Sequence, residues 1–533
     1  MPDYIVIGAG TAGCALAARL SENPNNKVVL FEAGGNDNHP YLKMPAGFLQ
    51  ALKNPNFTWA YATEPEKFMN DRIIPLPRGR VMGGSSSING MIHIRGNRKD
   101  FDDWRDICGA KGWGFEDVLP YFKRAESHFS NNHALHGKSG PIEVMEVKNP
   151  TIFSDEIRQA AKANNFEIID DYDGQFQEGI AYAQAAIGKN GHRSSSSVGY
   201  IKPNLNRNNL KIIKNTQINR IIFENKRAIG VVYIKNGIEN ILKTKGEIIL
   251  CSGTYNSPKI LLQSGIGPAE ELKQIGIEPI LDLKGVGKNL QEHPRMPLQF
   301  DASGPISFVN QLRLDKAILS VLNWGLFGKG AFAGQVCSGI MLLKTDNSLD
   351  RPDVQLLFSP TRIDANIWFP GILPKPSHCF YTNVCQLRPY SRGEITLRSN
   401  NPIDKPKIKL NLLSDERDYI SLREGTKIAR KIFATAPQNG LIANETIPGS
   451  HIQSDEDFKK AIKELLSITH HPVGTCSMGN EKHSVVDENL KVKGLEGLRI
   501  ADASIMPLMI GGNTNATSLM IGEKAAAHIL GTI

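Results

Sequence analysis

Tyr4-Ile5-Val6-Ile7-Gly8-Ala9-Gly10-Thr11-Ala12-Gly13-Cys14-Ala15-Leu16-Ala17-Ala18-Arg19-Leu20, with Lys27-Val28-Val29-Leu30-Phe31-Glu32 after it, is the stretch from which the rest of the chain can be organised. Four apolar residues in a row suit a strand buried on both faces. The run from Cys14 to Leu20 is rich in strong helix formers, and Lys27 to Phe31 reads as a second strand. A lone GxGxxG carries little weight. Framed by strand, helix and second strand, with an acid 19 residues after Gly13, it predicts a dinucleotide site. Gly8 permits the tight turn, Gly10 lets the backbone approach a pyrophosphate, and Gly13 lets the helix lie close to the sheet. The N-terminus of the helix that follows presents free N–H groups and its positive dipole end to the phosphates, and Thr11 and Ala12 are counted among the cofactor-binding residues. Glu32, with Ala33 beside it, is expected to accept hydrogen bonds from ribose hydroxyls. An acid there opposes a 2′-phosphate, so NAD and FAD remain.

Around this stretch, 533 residues correspond to three or four domains of ordinary size, or two large ones. With 41% hydrophobic and 22% charged residues the chain is neither disordered nor short of core material. Its seven cysteines are scattered and form no CxxC pair, which fits reduced thiols rather than a disulfide framework. A net charge of +8 is spread thinly, without the dense basic run of a nucleic-acid groove. The N-terminus does not read as a signal peptide, and no apolar run reaches the ~18 residues of a membrane span. The expectation is a soluble, cytoplasmic protein whose membrane contact is at most peripheral.

Three further clusters are rich in small or polar residues. Gly79-Arg80-Val81-Met82-Gly83-Gly84-Ser85-Ser86-Ser87-Ile88-Asn89-Gly90 allows close backbone approach and supplies N–H and O–H donors. After the apolar run Glu247 to Cys251, the segment Gly253 to Gly267 reads as a turn and a helix, with Ser257 as a cap and Pro258 at its first position. The tail carries His470-His471-Pro472, and then Gly511-Gly512-Asn513-Thr514-Asn515-Ala516-Thr517 ahead of a helix that begins near Asn515. Adjacent histidines without HExxH or CxxC spacing do not make a zinc site, so no metal is expected. No GxSxG elbow supports a hydrolase.

Taken in order, these stretches resemble the glucose–methanol–choline (GMC) oxidoreductases, FAD-dependent alcohol dehydrogenases and oxidases. The likeness runs from residue 4 to about 530 and includes Arg193-Ser194, Gly199-Tyr200-Ile201, Val286-Gly287-Lys288-Asn289-Leu290 and Ala501-Asp502-Ala503-Ser504. It implies an α/β protein with a Rossmann-like FAD-binding domain, residues 1–155, 205–305 and 465–533. This is interleaved with an α+β substrate domain containing an antiparallel sheet, residues 156–204 and 306–464. Read from the residues, 210–234 contains strands and a hairpin, and 416–435 and 455–466 are helical.

The resemblance implies that His471 takes the hydroxyl proton of an alcohol and that Asn515 hydrogen-bonds the same oxygen, while flavin N5 receives the hydride. His470 and Asn513 are set aside as the neighbouring, less fitting choices. Gly8, Gly10, Gly13 and Glu32 are assigned to the ADP half of FAD. Arg80, Met82, Gly83, Gly84, Ser85, Asn89, Gly90, Ser252, Gly253, Asp502, Ala503, Asn515, Ala516 and Thr517 are placed along the rest, with Ile218 at the adenine. Ile88 occupies the position at which some relatives attach FAD through a histidine, so the cofactor is expected to be non-covalent. His93 either lines the substrate entrance or packs. Gln335 falls where choline-specific relatives carry a carboxylate, which favours an uncharged primary alcohol over choline. The electron acceptor is a quinone, another carrier or O2. Within the same fold the alternatives are a hydroxynitrile lyase with a structural flavin, and choline dehydrogenase proper.

Overall fold

Five short apolar segments from distant parts of the chain pair in parallel, in the spatial order Leu498–Ile500, Glu247–Leu250, Tyr4–Ile7, Val28–Phe31, Leu210–Ile213. The computed structural model describes residues 1–147, 153–362 and 364–532. Tyr4–Ile7 lies at the centre of this sheet, and its neighbours Glu247–Leu250 and Val28–Phe31 are buried almost throughout. Burial on both faces is why these strands read as continuous apolar runs with no alternation.

The helices on this sheet are close because glycine makes them so. Helix Thr11–Leu20 packs on helix Asn515–Leu530, where a Cβ on Gly522 would lie 2.5 Å from the Ala12 carbonyl oxygen. Arg19 then forks onto the buried carboxylate of Glu523 at 2.9–3.0 Å, and the Tyr200 hydroxyl donates to the same group at 2.7 Å. A charge taken fully out of water needs such partners.

One helix starts earlier than its composition suggests. It spans Gly253–Gln263 with Ser252 as N-cap, so Pro258 sits inside it rather than at its first position. Proline withholds one N–H from the Thr254 carbonyl. The Thr475 hydroxyl donates to that carbonyl instead, at 2.6 Å. Ser257 does not cap; its hydroxyl donates to Asp502 at 2.6 Å.

The second sheet has nine strands. Its order is Ile442–Ile447, Pro294–Ala302, Cys379–Gln386, Val354–Ser359, Gly339–Leu343, Gly179–Ala185, Ile142–Val147, Glu126–His128, with Ser467–Ile468 also paired to Pro294–Ala302. All pairs are antiparallel except Glu126–His128 with Ile142–Val147. Helices Glu416–Phe433 and Asp455–Leu465 stand against it, as their sequence pattern predicts. The boundaries expected from sequence need correcting at the seams. Residues 126–147, 294–302 and 467–468 fall within the ranges assigned to the FAD-binding domain, yet their strands hydrogen-bond into the nine-stranded sheet. These seam strands set the site, because Pro294 and Ile468 immediately flank it.

Candidate active site

A cavity of about 890 Å³ runs between the two sheets. It is lined by Glu32, Ala33 and Ile218, by the glycine turns at Gly8, Gly10 and Gly84, and by His471 and Asn513. Gly8 has φ +103° and a Cβ there would meet the Cys251 carbonyl oxygen at 2.5 Å, so the first turn requires glycine. Gly84, at φ +54°, approaches so closely that its Cβ would lie 2.7 Å from the Cα of Gly10. The two glycine-rich segments therefore form one wall. Helices Thr11–Leu20 and Asn515–Leu530 both bring their N-termini to it, joined by a 2.9 Å hydrogen bond from the Thr11 hydroxyl to Asn515 Oδ1. Two helix N-termini and a bare glycine wall fit a pyrophosphate.

Of the other residues assigned to the cofactor, Thr11, Ala12, Ser85, Asn89, Gly90, Ser252, Gly253, Asp502 and Ala503 also line this cavity. Others do not. Gly13 packs against the Gly8 carbonyl. Met82 and Gly83 fasten their segment by backbone hydrogen bonds to Gly35 and Ala9. Arg80 lies exposed with its guanidinium 4.9 Å from the Trp59 ring centre. Ala516 is in the core, and the Thr517 hydroxyl donates to the Arg95 carbonyl at 3.0 Å. Glu32 accepts from Ala9 N–H at 3.0 Å and Gly34 N–H at 2.8 Å, and burial pushes its carboxyl up to about 7. Asp502 accepts from Gly253 N–H at 2.9 Å and Ser504 N–H at 2.8 Å, which ties the helix start at 253 to the tail.

The other end of the cavity is built by two His-Pro dipeptides, His293-Pro294 and His471-Pro472. Pro294 pairs with Ile468 and Gln291 bridges to Val473, so three steps along one strand answer five along the other. The two extra residues bulge out. His470 absorbs the bend at φ +64°, a left-handed conformation uncommon for a residue with a Cβ. The bulge sets the His471 ring opposite His293, with Nδ1 to Nδ1 at 3.1 Å. The Glu292 carboxylate holds both residues, accepting from His471 N–H at 2.6 Å and His293 N–H at 3.0 Å. Burial pushes that carboxyl up to about 7.

Proton positions follow from the partners. His293 Nε2 faces two acceptors, the carbonyls of Leu387 at 3.0 Å and Ile510 at 3.1 Å, so it carries the hydrogen. Burial lowers the pKa of His293 to about 4. The ring is therefore neutral and its Nδ1 is a lone pair. That lone pair, with the Thr469 hydroxyl oxygen at 2.9 Å, calls for a hydrogen on His471 Nδ1. Burial, then the neighbouring His293 and Arg78, hold His471 well below 6.5. Its Nε2 is left as a lone pair facing Asn513 Nδ2, which donates at 3.0 Å. A neutral imidazole with its acceptor nitrogen beside an amide donor can take a proton from a hydroxyl and hold the oxygen that lost it.

The carboxamide that meets His471 is thus Asn513, not Asn515. The helix begins at Asn515 itself, and the side chain of this first helical residue turns to Thr11. Asn513 lies in the loop ahead of the helix, one residue before its N-cap Thr514. His293 was not singled out from the sequence; the His-Pro dipeptide, which also occurs at His39-Pro40, was the available signal. His470 lines the cavity, and its carbonyl accepts from Arg78 at 2.8 Å.

His93 packs, with Nε2 3.1 Å from the Glu126 carboxylate in a buried network of Arg95, His128, His136 and Asp171. Among the described residues, His128, His136 and Asp171 are close enough to share a metal ion. However, both nitrogens of His136 are taken, by Glu126 at 2.8 Å and Asp171 at 2.7 Å, and these carboxylates raise its pKa to about 9 against the opposing burial. This is an ion-pair cluster, since an imidazolium has no lone pair for a metal.

The GMC oxidoreductase family models match residues 2–295 and 389–522. The chain is 39% identical over 531 residues to an oxygen-dependent choline dehydrogenase of Brucella anthropi, covering 99% of this chain and 95% of that protein. It is also 39% identical over 533 residues to the enzyme of the same name from Sinorhizobium fredii, with 99% and 95% covered. Among solved structures it superposes on pyridoxine 4-oxidase from Mesorbium loti with a TM-score of 0.88 at 26% identity, covering 99% of this chain and 98% of the other. A formate oxidase variant of Aspergillus oryzae gives 0.91 at 26%, with 100% and 98% covered. The chain belongs to the GMC oxidoreductase family. It is an FAD-dependent enzyme acting on CH–OH donors.

The proton assignment can be read directly. In 15N-resolved imidazole spectra of the holoenzyme, His293 should show the Nε2–H tautomer and His471 the Nδ1–H tautomer. Burial disfavours the charged ring and so lowers both pKa values. Neither signal should therefore titrate as the pH falls from 8 through 6.5. A midpoint near 6.5 for either ring would contradict the relay.

Proposed function

We propose that the chain oxidises an uncharged primary alcohol to the aldehyde, with His471 as the base for the hydroxyl proton and Asn513 as hydrogen-bond donor to the same oxygen. The observation that carries the reading is the pair His471 Nε2 and Asn513 Nδ2, 3.0 Å apart and lining the cavity. FAD, when bound, supplies the hydride acceptor that no side chain offers. The hydroxyl proton passes to His471 Nε2. The charge that forms on the ring is met at Nδ1 by His293 and Thr469, both already hydrogen-bonded there. Asn513 carries a second amide hydrogen, which holds the alcohol oxygen as negative charge builds on it. Both contacts fix the carbinol carbon in place, and orientation of this kind is a large part of catalysis.

The cavity walls include the apolar Phe48, Phe308, Phe332 and Val336. Among the described lining residues the carboxylates are Glu32 and Asp502, both held by backbone N–H groups at the cofactor end. Gln335 lines the cavity as an amide, bonded to the Gly90 carbonyl. Arg295 also lines it, and its charge lowers the pKa of His470 and His471. A trimethylammonium group would find no carboxylate there and would meet a guanidinium. Choline is the competing substrate, favoured by the printed names of the relatives. Those names also support O2 as an electron acceptor, with a quinone as the other candidate. Ile88, buried among Leu42, Ala51 and Val81, offers no nucleophile to flavin, so FAD is held without a covalent bond.

Three outcomes check this reading. Under anaerobic mixing with alcohol, His471→Ala and Asn513→Ala should each slow flavin bleaching by about 10²-fold or more. Asn515→Ala should instead change FAD retention; a larger rate loss at 515 than at 513 would sink the assignment. In an alcohol panel, hexanol or benzyl alcohol should bleach the flavin at far lower concentration than choline, and O2 or a quinone should restore the colour. No bleaching by any alcohol would favour a lyase. Acid denaturation should release all the yellow colour into the supernatant, and colour retained by the pellet would contradict a non-covalent cofactor.

A further inference from the structure

Helix Leu314–Phe327 is arranged against the usual rule. The residues it buries are Ala317, Ser320 and Trp324. Facing water are Ile318, Leu319, Val321, Leu322, Leu326 and Phe327, each 43–73% exposed. A second segment lies against its N-terminus, where Leu314 N–H donates to the Trp368 carbonyl at 2.9 Å and Trp368 N–H to the Leu312 carbonyl at 3.1 Å. That segment adds Ile367, Ile372 and Leu373, 41–75% exposed. Singly exposed apolar side chains are ordinary, but a joined set of this size marks an interaction surface.

Two observations say what the surface meets. The first is charge. Residues 308–330 and 360–378 carry Arg313, Lys316, Lys329, Arg362 and Lys375 against Asp315 and Asp364. Both carboxylates are held by arginines of their own segment, Arg313 to Asp315 at 2.6–2.7 Å and Arg362 to Asp364 at 2.7–2.8 Å. Lys316, Lys329 and Lys375 have no carboxylate within ion-pair distance among the described residues, so the rim of the apolar patch is cationic. The second is position. Val321 and Ile367 belong to this patch, and together with the neighbouring Leu312 and Ala365 they line the cavity that contains His471.

We propose that this face docks on an anionic phospholipid bilayer, with the helix lying in the interface, the lysines among the headgroups and the mouth of the cavity open toward the acyl chains. Apolar burial together with attraction to acidic lipid is the usual basis of such monotopic binding. A second copy of the chain is a poorer occupant, because a two-fold interface would set the same lysines against each other. Resting on the alcohol-oxidising reading above, the arrangement also lets a lipid-soluble alcohol enter the cavity from the membrane.

The test uses flavin-loaded enzyme and flotation through a density gradient. Wild-type protein should float with phosphatidylcholine vesicles containing phosphatidylglycerol, and about tenfold less with phosphatidylcholine alone. The variant Leu322→Glu/Leu326→Glu/Phe327→Glu should stay unbound while keeping its flavin spectrum and its rate with a water-soluble alcohol. Lys316→Glu/Lys329→Glu should lose the preference for phosphatidylglycerol. Wild-type protein that fails to float, or a triple-glutamate variant that floats as well as wild type, overturns the proposal. A dimer by light scattering that the triple variant converts to monomer, without flotation of either, assigns the face to a second copy instead. Flotation is read without turnover, so it stands or falls independently of whether any alcohol bleaches the flavin.

Discussion

Two backbone carbonyls, those of Leu387 and Ile510, decide where the protons sit in this site. By claiming the Nε2 hydrogen of His293 they leave its Nδ1 as an acceptor. That acceptor orients His471, whose ring stands nearly perpendicular to it with centroids 5.3 Å apart. The nitrogen of His471 facing Asn513 is left without a hydrogen. No charge is needed to enforce this order, since both rings are kept neutral by burial. The constraint passes through three neutral hydrogen bonds, which suits a buried site, where an isolated charge is costly.

Everything else in the fold holds those pieces in register. Leu387 follows directly on strand Cys379–Gln386 of the nine-stranded sheet, and Ile510 belongs to the loop ahead of the C-terminal helix. His293 opens strand Pro294–Ala302, and His471 follows the short strand Ser467–Ile468 paired with it. The candidate site is therefore a seam, where the antiparallel sheet hands its strand ends to the glycine wall of the parallel sheet. Gln291 stitches the seam further, donating to the Pro507 carbonyl at 3.0 Å and accepting from Met509 N–H at 3.0 Å. The backbone bulge at His470 belongs to the same logic. A strained residue is retained where it aims a neighbouring side chain.

The cavity is electrically divided. Its carboxylates are held by Gly34 and Gly253 N–H groups, and Arg295, among others, acts on the charge state of His470 and His471. The relatives that share 39% of the sequence establish the family and the flavin. The charge around His471 is a property of this chain's own side chains, and function is argued from such a site rather than from the fold. Val321 of the exposed helix and Ile367 of the segment beside it also line this cavity.

The nucleotide half was legible in the chain itself. The strand–GxGxxG–helix–strand–acid order is local, and each glycine answers a local demand, so position along the sequence was enough to single out Gly8, Gly10 and Glu32, which line the cavity. The C-terminal helix was equally legible from its composition. The reacting half was only partly so. His471 stood out in its dipeptide, but its partner was misplaced by two residues, because Asn513 and Asn515 differ only in which side of a helix start they occupy. His293 lies 178 positions from His471, and nothing in the spacing ties them. That pairing, the orientation of the two rings and the cationic apolar face at the cavity mouth were decided by tertiary structure alone. They depend on which strand ends pack together, and hydrogen-bond direction is set by the partner that arrives through space.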